Sequence, residues 1–365
     1  MSLAVREAQA PQAGGEPGKS AGLEAAPRLI RAWLLACALL VFGVLVVGGI
    51  TRLTHSGLSI VRWEPVSGVL PPLSPEAWSA LFEQYRGSPE FRLVNSAMTL
   101  DGFKPIFWWE YAHRLLGRLA GLVFLMPLIA FWATGRIRSA LAWRLLGIFC
   151  LGALQGALGW YMVASGLVDD PRVSPLRLAA HLAMALLLIG LLLWTAWTQP
   201  HRGDERRGAA PAARIAVAAV FLMALSGALV AGTHAGYAYN TFPLMDGRLV
   251  PADLLSPDAW AGGPLANLAA VQFLHRALAG VVLAAALVLW WRSRTAGRRQ
   301  KAGALVLLGA IGVQLCLGVS TLLSGVAPPL AAAHQAGAVV VFACALWAAF
   351  RSTQGTLPGD RPRAS

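Results

Sequence analysis

Apolar residues fall into eight long runs, each close to the ~20 residues a helix needs to cross about 30 Å of hydrocarbon. The runs lie near 29–50, 106–133, 140–163, 174–197, 212–233, 266–291, 301–323 and 328–350. This pattern predicts an all-α integral membrane protein with eight transmembrane helices. The loops between the runs differ in charge. Arg136 and Arg138, then Arg202, Arg206 and Arg207, then Arg292, Arg294, Arg298, Arg299 and Lys301 mark one side. The opposite loops, 164–175 and 234–265, are poor in Lys and Arg and hold Asp169, Asp170, Asp246, Asp253 and Asp258. The excess of positive charge predicts that the first side, and with it both termini, faces the cytoplasm. The long loop 51–105 then lies outside, where its Pro, Trp and Gly content suggests a packed cap.

Composition agrees with a lipid-facing surface. Of the 365 residues 57% are hydrophobic and 13% charged, against about 25% charged in soluble domains. The net charge of +13 sits in short loops between apolar runs. That placement orients helices and offers no separate basic domain for nucleic acid. Cys37, Cys150, Cys316 and Cys344 each lie in an apolar stretch without a close-spaced partner, so they read as small apolar fillers. Residues 1–28, rich in Ala, Gly, Pro and Glu, read as a disordered cytoplasmic tail, and 353–365 as a second tail. The apolar core comes too late for a secretory signal, and Glu7, Glu16 and Glu24 are wrong for a transit peptide. A bacterial inner membrane is the expected location.

The chain also repeats. WEYAHRLLGRLAG in the second run is similar to VQFLHRALAGVVL in the sixth, and LRLAAHLAMALLL in the fourth to PLAAAHQAGAVVV in the eighth. LGALQGALGW in the third is similar to GVQLCLGVST in the seventh. Each half has four runs in the same orientation. The expectation is two tandem, pseudo-symmetric four-helix bundles, 29–200 with the outer loop 51–105, and 201–352.

Four of the seven histidines, His113, His181, His275 and His334, sit in the even-numbered runs, which all start from the outer side. At 1.5 Å per residue they share one layer roughly 10 Å deep, two per half. A lone intramembrane His reads as a hydrogen-bonding residue between helices. Two on separate helices of one bundle can clamp a haem iron from both faces. Zinc fits less well, because acidic and Cys ligands are missing nearby. Arg114, Arg276 and Arg118 could grip haem propionates or join a buried hydrogen-bond network. Gln155 and Gln314 read as bonds between helices. His55 and His234, at the outer ends of odd-numbered runs, could meet propionates, relay protons or cap helices, and His201 reads as solvated surface. One difference separates the halves. Three residues before each His-Arg pair stands Glu110 in the first half and Gln272 in the second. Positions three apart share a helix face, so an ionisable carboxyl accompanies one site and a neutral amide the other.

At GGITRLTHSGLSI with the following Trp63-Glu64-Pro65, FWWEYAHRLLGR, THAGYAYNTFPLMDG and QFLHRALAG, the chain resembles the haem A synthases of the COX15/CtaA family, from about residue 30 to 350. The resemblance implies oxidation of the C8 methyl of haem O to the formyl group of haem A, by successive hydroxylations with water as oxygen source. It implies haem b held by His275 and His334 with Arg276 beside it. It places substrate haem O at His113 and His181, near Arg114 and Arg118, with Glu110 matching the essential glutamate. It also implies haem O synthase, a farnesyl transferase, as upstream partner and cytochrome c oxidase assembly as destination, with an electron acceptor the sequence does not name. Loop 51–105 lacks the cysteine pair of some family members, which places the chain in the branch without it. A bis-His di-haem electron carrier of cytochrome b type would use the same histidines without Glu110. A repeat-built transporter would show midplane Gly/Pro breaks at matching positions.

Overall fold

The computed structural model describes residues 17–64, 67–137, 139–199 and 210–354. Arg138, His201, Arg202, Arg206, Arg207 and the end of the C-terminal tail lie outside the described residues. The described residues form ten α-helices: α1 Pro17–Leu53, α2 Pro75–Arg86, α3 Pro89–Leu93, α4 Leu100–Ala133, α5 Ser139–Ala164, α6 Pro175–Trp197, α7 Pro211–Thr233, α8 Leu268–Ser293, α9 Arg298–Leu323 and α10 Pro328–Thr353. All but α2 and α3 are long and apolar enough to cross a membrane. The chain is therefore an all-α, multi-pass membrane protein.

Local chemistry explains the helix starts. Pro occupies the first turn of α6, α7 and α10, where its missing N–H costs nothing and its fixed φ suits the helix. Thr99 and Asn267 cap α4 and α8 by accepting from the backbone N–H of Gly102 and Ala270, satisfying donors that the helix itself leaves unpaired. Two boundaries differ from the expectation. The first helix reaches back to Pro17, into the segment read as a disordered tail; Ala, Leu and Glu after Pro17 are good helix formers. The second span begins at Leu100 rather than near 106. Phe103, fully buried in the outer cap, holds those extra turns in place.

The spans pack as two rings. In the first, α1 meets α4, α4 meets α5, α5 meets α6, and α6 returns to α1. In the second, α7, α8, α9 and α10 close in the same way. Contacts of α1 and α6 with α7 and α10 join the rings. Leu45, Leu186, Ile189, Phe342 and Leu307 form the apolar core along and beside this seam. A second core of Trp33, Leu34, Phe124, Leu128, Leu145 and Leu192 fills the first ring, with the Trp33 indole donating to the Val123 carbonyl at 2.9 Å. Two polar bonds cross the seam, Gln335 Nε2 to Leu45 O at 3.1 Å and Arg52 Nη1 to Ala231 O at 2.9 Å. In an apolar surround such bonds fix register as much as they add stability.

The loop before α4 is a packed cap. Tyr85, Phe103, Phe107 and Tyr111 make an aromatic core with Trp78, Phe82 and Phe91 around it, and Trp78 meets Phe107 edge-on at 5.0 Å between centroids. The four cysteines are free thiols. Phe103→Ala should cost the cap about 3–5 kcal/mol, as for other buried aromatics. Limited proteolysis checks this: cleavage should speed up within 67–99 while the spans stay resistant.

Candidate functional site

Each of the four intramembrane histidines faces a glycine on the preceding span. A Cβ at Gly48 would lie 2.6 Å from His113 Cε1, and one at Gly159 would lie 2.9 Å from His181 Cε1. The corresponding approaches are 3.3 Å for Gly227 with His275 and 2.8 Å for Gly318 with His334. These glycines stand five or six residues from the C-terminal ends of α1, α5, α7 and α9, so the four imidazoles lie at matching heights along their spans. His113 and His181 lie within electrostatic reach of each other, as do His275 and His334. All four are half-buried.

Hydrogen bonds orient the rings. His113 Nδ1 meets the Val44 carbonyl at 3.1 Å, which puts a proton on Nδ1 and leaves Nε2 free. His275 Nδ1 meets Ser226 Oγ at 2.7 Å, and the Ser226 hydroxyl donates to Met223 O, so Ser226 accepts and Nε2 is again free. A metal-binding imidazole is ordinarily fixed in this way by its other nitrogen. Gln155 and Gln314 donate to the backbone carbonyls of His181 and His334 at 3.1 and 2.8 Å, bonding adjacent helices as expected. The Val44 carbonyl carries no sequence signal. Ser226, a hydroxyl within an apolar span and next to Gly227, does.

Glu110 is buried, and four donors surround its carboxylate. Ser59 Oγ and the Ile60 N–H meet Oε2, both at 2.7 Å. Arg114 meets Oε1 through Nη2 at 2.6 Å and through Nε at 3.1 Å. Arg114 also donates to Ile60 O and Arg62 O, and Arg118 donates to Glu64 O at 2.7 Å. Glu110, Arg114 and Arg118, one helical turn apart, thus strap loop segment 59–64 onto α4. Trp63 closes the strap against Trp160 of α5, with ring centroids 5.6 Å apart. The sequence left these arginines either propionate contacts or a buried hydrogen-bond network; they make the network, and the loop it straps down was not legible.

The second half solves the same position differently. Gln272 Nε2 and Arg276 Nη2 both donate to Tyr239 O at 3.0 Å. Arg276 Nε and Nη1 remain buried without a partner, an arrangement suited to a carboxylate ligand. His55 and His234 are exposed residues just past the C-terminal ends of α1 and α7, at φ 51° and 60°. His is among the few non-glycine residues that tolerate this left-handed turn. Desolvation, then the charges of Arg52, His55 and Arg172, holds the His234 imidazole below its ordinary range.

These features define a polytopic membrane protein carrying two pairs of intramembrane histidines, one of them with a fixed glutamate a helical turn away. The chain matches the COX15-CtaA family, described as cytochrome oxidase assembly protein, over residues 31–346. It is 46% identical over 340 residues to the heme A synthase of Nitrosospira multiformis, covering 91% of this chain and 95% of that protein. It is 47% identical over 318 residues to that of Parvibaculum lavamentivorans, covering 86% and 92%. It is also 47% identical over 339 residues to that of Rhizobium etli, covering 91% and 92%. The chain belongs to the COX15-CtaA family.

The glycine contacts give a steric test. Gly318→Ala should displace His334, and Gly159→Ala should displace His181, because a methyl group cannot occupy those positions unless the ring moves. In haem-loaded protein the displaced ring should change the haem absorption spectrum, while Gly152→Ala, with open space at its Cβ, should leave the spectrum unchanged.

Proposed function

We propose that this chain makes haem A from haem O, oxidising the C8 methyl group of the porphyrin to a formyl group. The observation that carries this reading is the asymmetry between the histidine pairs: Glu110 stands over one and Gln272 over the other. The family relationship and the shared name of the relatives support it. Haem O is the substrate between His113 and His181, and haem b is the resident group between His275 and His334. The donor set fits: His113 and His275 keep Nε2 free with Nδ1 hydrogen-bonded, glycines admit the rings at close range, and the unpaired Arg276 nitrogens suit a propionate. Haem b held there would supply a one-electron centre.

Oxidising a methyl group with water makes a C–O bond, breaks a C–H bond and releases two protons and two electrons. A second round gives a geminal diol, which loses water to leave the formyl group. The electrons pass to an acceptor outside this chain. The Glu110 carboxylate is placed to stabilise positive charge developing at the methyl carbon. Arg114 holds that carboxylate in position, and the strap of residues 59–64 keeps the site closed on its outer side. The setting is a bacterial inner membrane with both termini cytoplasmic, where haem O synthase delivers substrate and cytochrome c oxidase assembly takes the product. Pigment extracted from purified protein tests the reading: haem B with haem O or haem A supports it, and haem B alone points to an electron carrier.

Replacing His275 or His334 with a non-ligating residue should abolish the low-spin haem b spectrum. A normal haem b content in both variants would overturn the assignment.

Glu110→Gln should retain haem b and lower haem A formation by about 10²–10⁴-fold, with haem O or a hydroxylated intermediate accumulating. This substitution also leaves Arg114 without its carboxylate, and a broken buried pair costs about 3–5 kcal/mol. The double variant Glu110→Gln/Arg114→Gln separates the two effects. Recovered haem A in the double variant would mean that Glu110 acts only by pairing Arg114.

A further inference from the structure

The two halves hold their first histidine differently. Counted back from His55 after α1 and from His234 after α7, Val44 matches Met223, Val47 matches Ser226 and Gly48 matches Gly227. In the first half His113 Nδ1 meets the Val44 carbonyl directly, at 3.1 Å. In the second half the Ser226 hydroxyl stands between the two groups. It accepts from His275 Nδ1 at 2.7 Å and donates to Met223 O, the matching carbonyl, at 2.8 Å. A buried hydroxyl in an apolar span is costly unless it is bonded, and Ser226 is buried with both bonding directions used. Valine at 47 has no hydroxyl to insert.

The ring positions follow from this difference. A Cβ at Gly48 would lie 2.6 Å from His113 Cε1, 3.1 Å from Nδ1 and 3.2 Å from Nε2. At Gly227 the approaches are 3.3 Å for His275 Cε1 and 4.0 Å for Nδ1, with Nε2 beyond 4 Å. His113 is therefore drawn against the α1 backbone, while His275 stands off from α7 by about the width of a hydroxyl. Nε2 is the nitrogen left for iron once Nδ1 is hydrogen-bonded. It is crowded by α1 in the first half and clear of α7 in the second.

We propose that Ser226 is a positioning residue, a spacer that holds His275 forward of α7 for lasting haem b ligation, and that Val47, supplying no spacer, leaves His113 drawn back so that haem in the first half can exchange. The proposal rests on the reading that haem b resides between His275 and His334 while haem O enters, and haem A leaves, at His113 and His181. A permanent ligand gains from being fixed in advance by its outer hydrogen bond. An exchanging site has the opposite need. There, the Val44 carbonyl and the Gly48 backbone give His113 a resting place that competes with ligation.

Ser226→Val places the first half's residue in the second, and Ser226→Thr is its control, because threonine has the bulk of valine and keeps the hydroxyl. Transfer of haem from purified protein to an excess of apomyoglobin reads the effect without turnover. Ser226→Val should lose haem b about 10–100-fold faster than the wild type, the usual cost of removing the outer hydrogen bond of a metal ligand. Ser226→Thr should recover slow loss. The haem b midpoint potential should rise in Ser226→Val, since an imidazole stripped of that bond donates less to ferric iron. If Ser226→Val fails to fold, Ser226→Ala removes the hydroxyl without added bulk and carries the same expectations. The reciprocal Val47→Ser should slow release of haem O or haem A from the first half by a similar factor. Equal haem b loss in Ser226→Val and Ser226→Thr would reduce Ser226 to packing. Wild-type retention and potential in Ser226→Val would overturn the spacer, and unchanged release in Val47→Ser would overturn its role in exchange. If wild-type protein yields neither haem O nor haem A, the reading of the first half fails instead, and the Ser226 variants still decide the second.

Discussion

The arrangement of the first half depends on one buried anion. The Glu110 carboxylate lies at membrane depth, where an uncompensated charge costs several kcal/mol, and it persists because four donors converge on it. Two of those donors belong to a loop and two to the helix that carries Glu110. Satisfying the charge therefore fixes the loop. Once Ser59 and Ile60 are held, Arg114 and Arg118 find the carbonyls of residues 60, 62 and 64 within reach, and the outer side of the bundle is closed. Had glutamine stood at 110, as it does at 272, an amide could have held a loop carbonyl but could not have received four donors.

A steric constraint sets the other half of the site. The imidazoles press against glycines so closely that a methyl group would collide with three of the four. Close approach of small residues is how membrane helices gain packing contacts when lipid offers no hydrophobic drive. Here the same feature lets each histidine ring come close to the backbone of the preceding span. The two rings share this device and differ in their outer polar chemistry. One has a carboxylate, an arginine pair and a strap. The other has an amide and an arginine with two unpaired nitrogens.

The cap holds the same helix from a second side. Its aromatic core packs Phe107 and Tyr111, which flank Glu110 along α4, with Trp78, Phe82 and Phe91.

The eight spans, their boundaries to within a few residues, the four histidines and the Glu110/Gln272 difference were all legible in the sequence. Spans follow from apolar length, because a bilayer demands about 20 residues whatever they pack against. The histidines stood out because polar side chains are rare and costly in such runs. Only tertiary structure decided the partners. That Arg114 and Arg118 bind loop carbonyls, and that Val44 O and Ser226 orient the imidazoles, each depends on segments brought together by folding. The start of α4 at Leu100 was set in the same way, by the burial of Phe103 in a cap whose aromatic residues come from three helices. A hydrophobicity pattern records where a chain meets lipid; it does not record which backbone carbonyl a buried guanidinium will find.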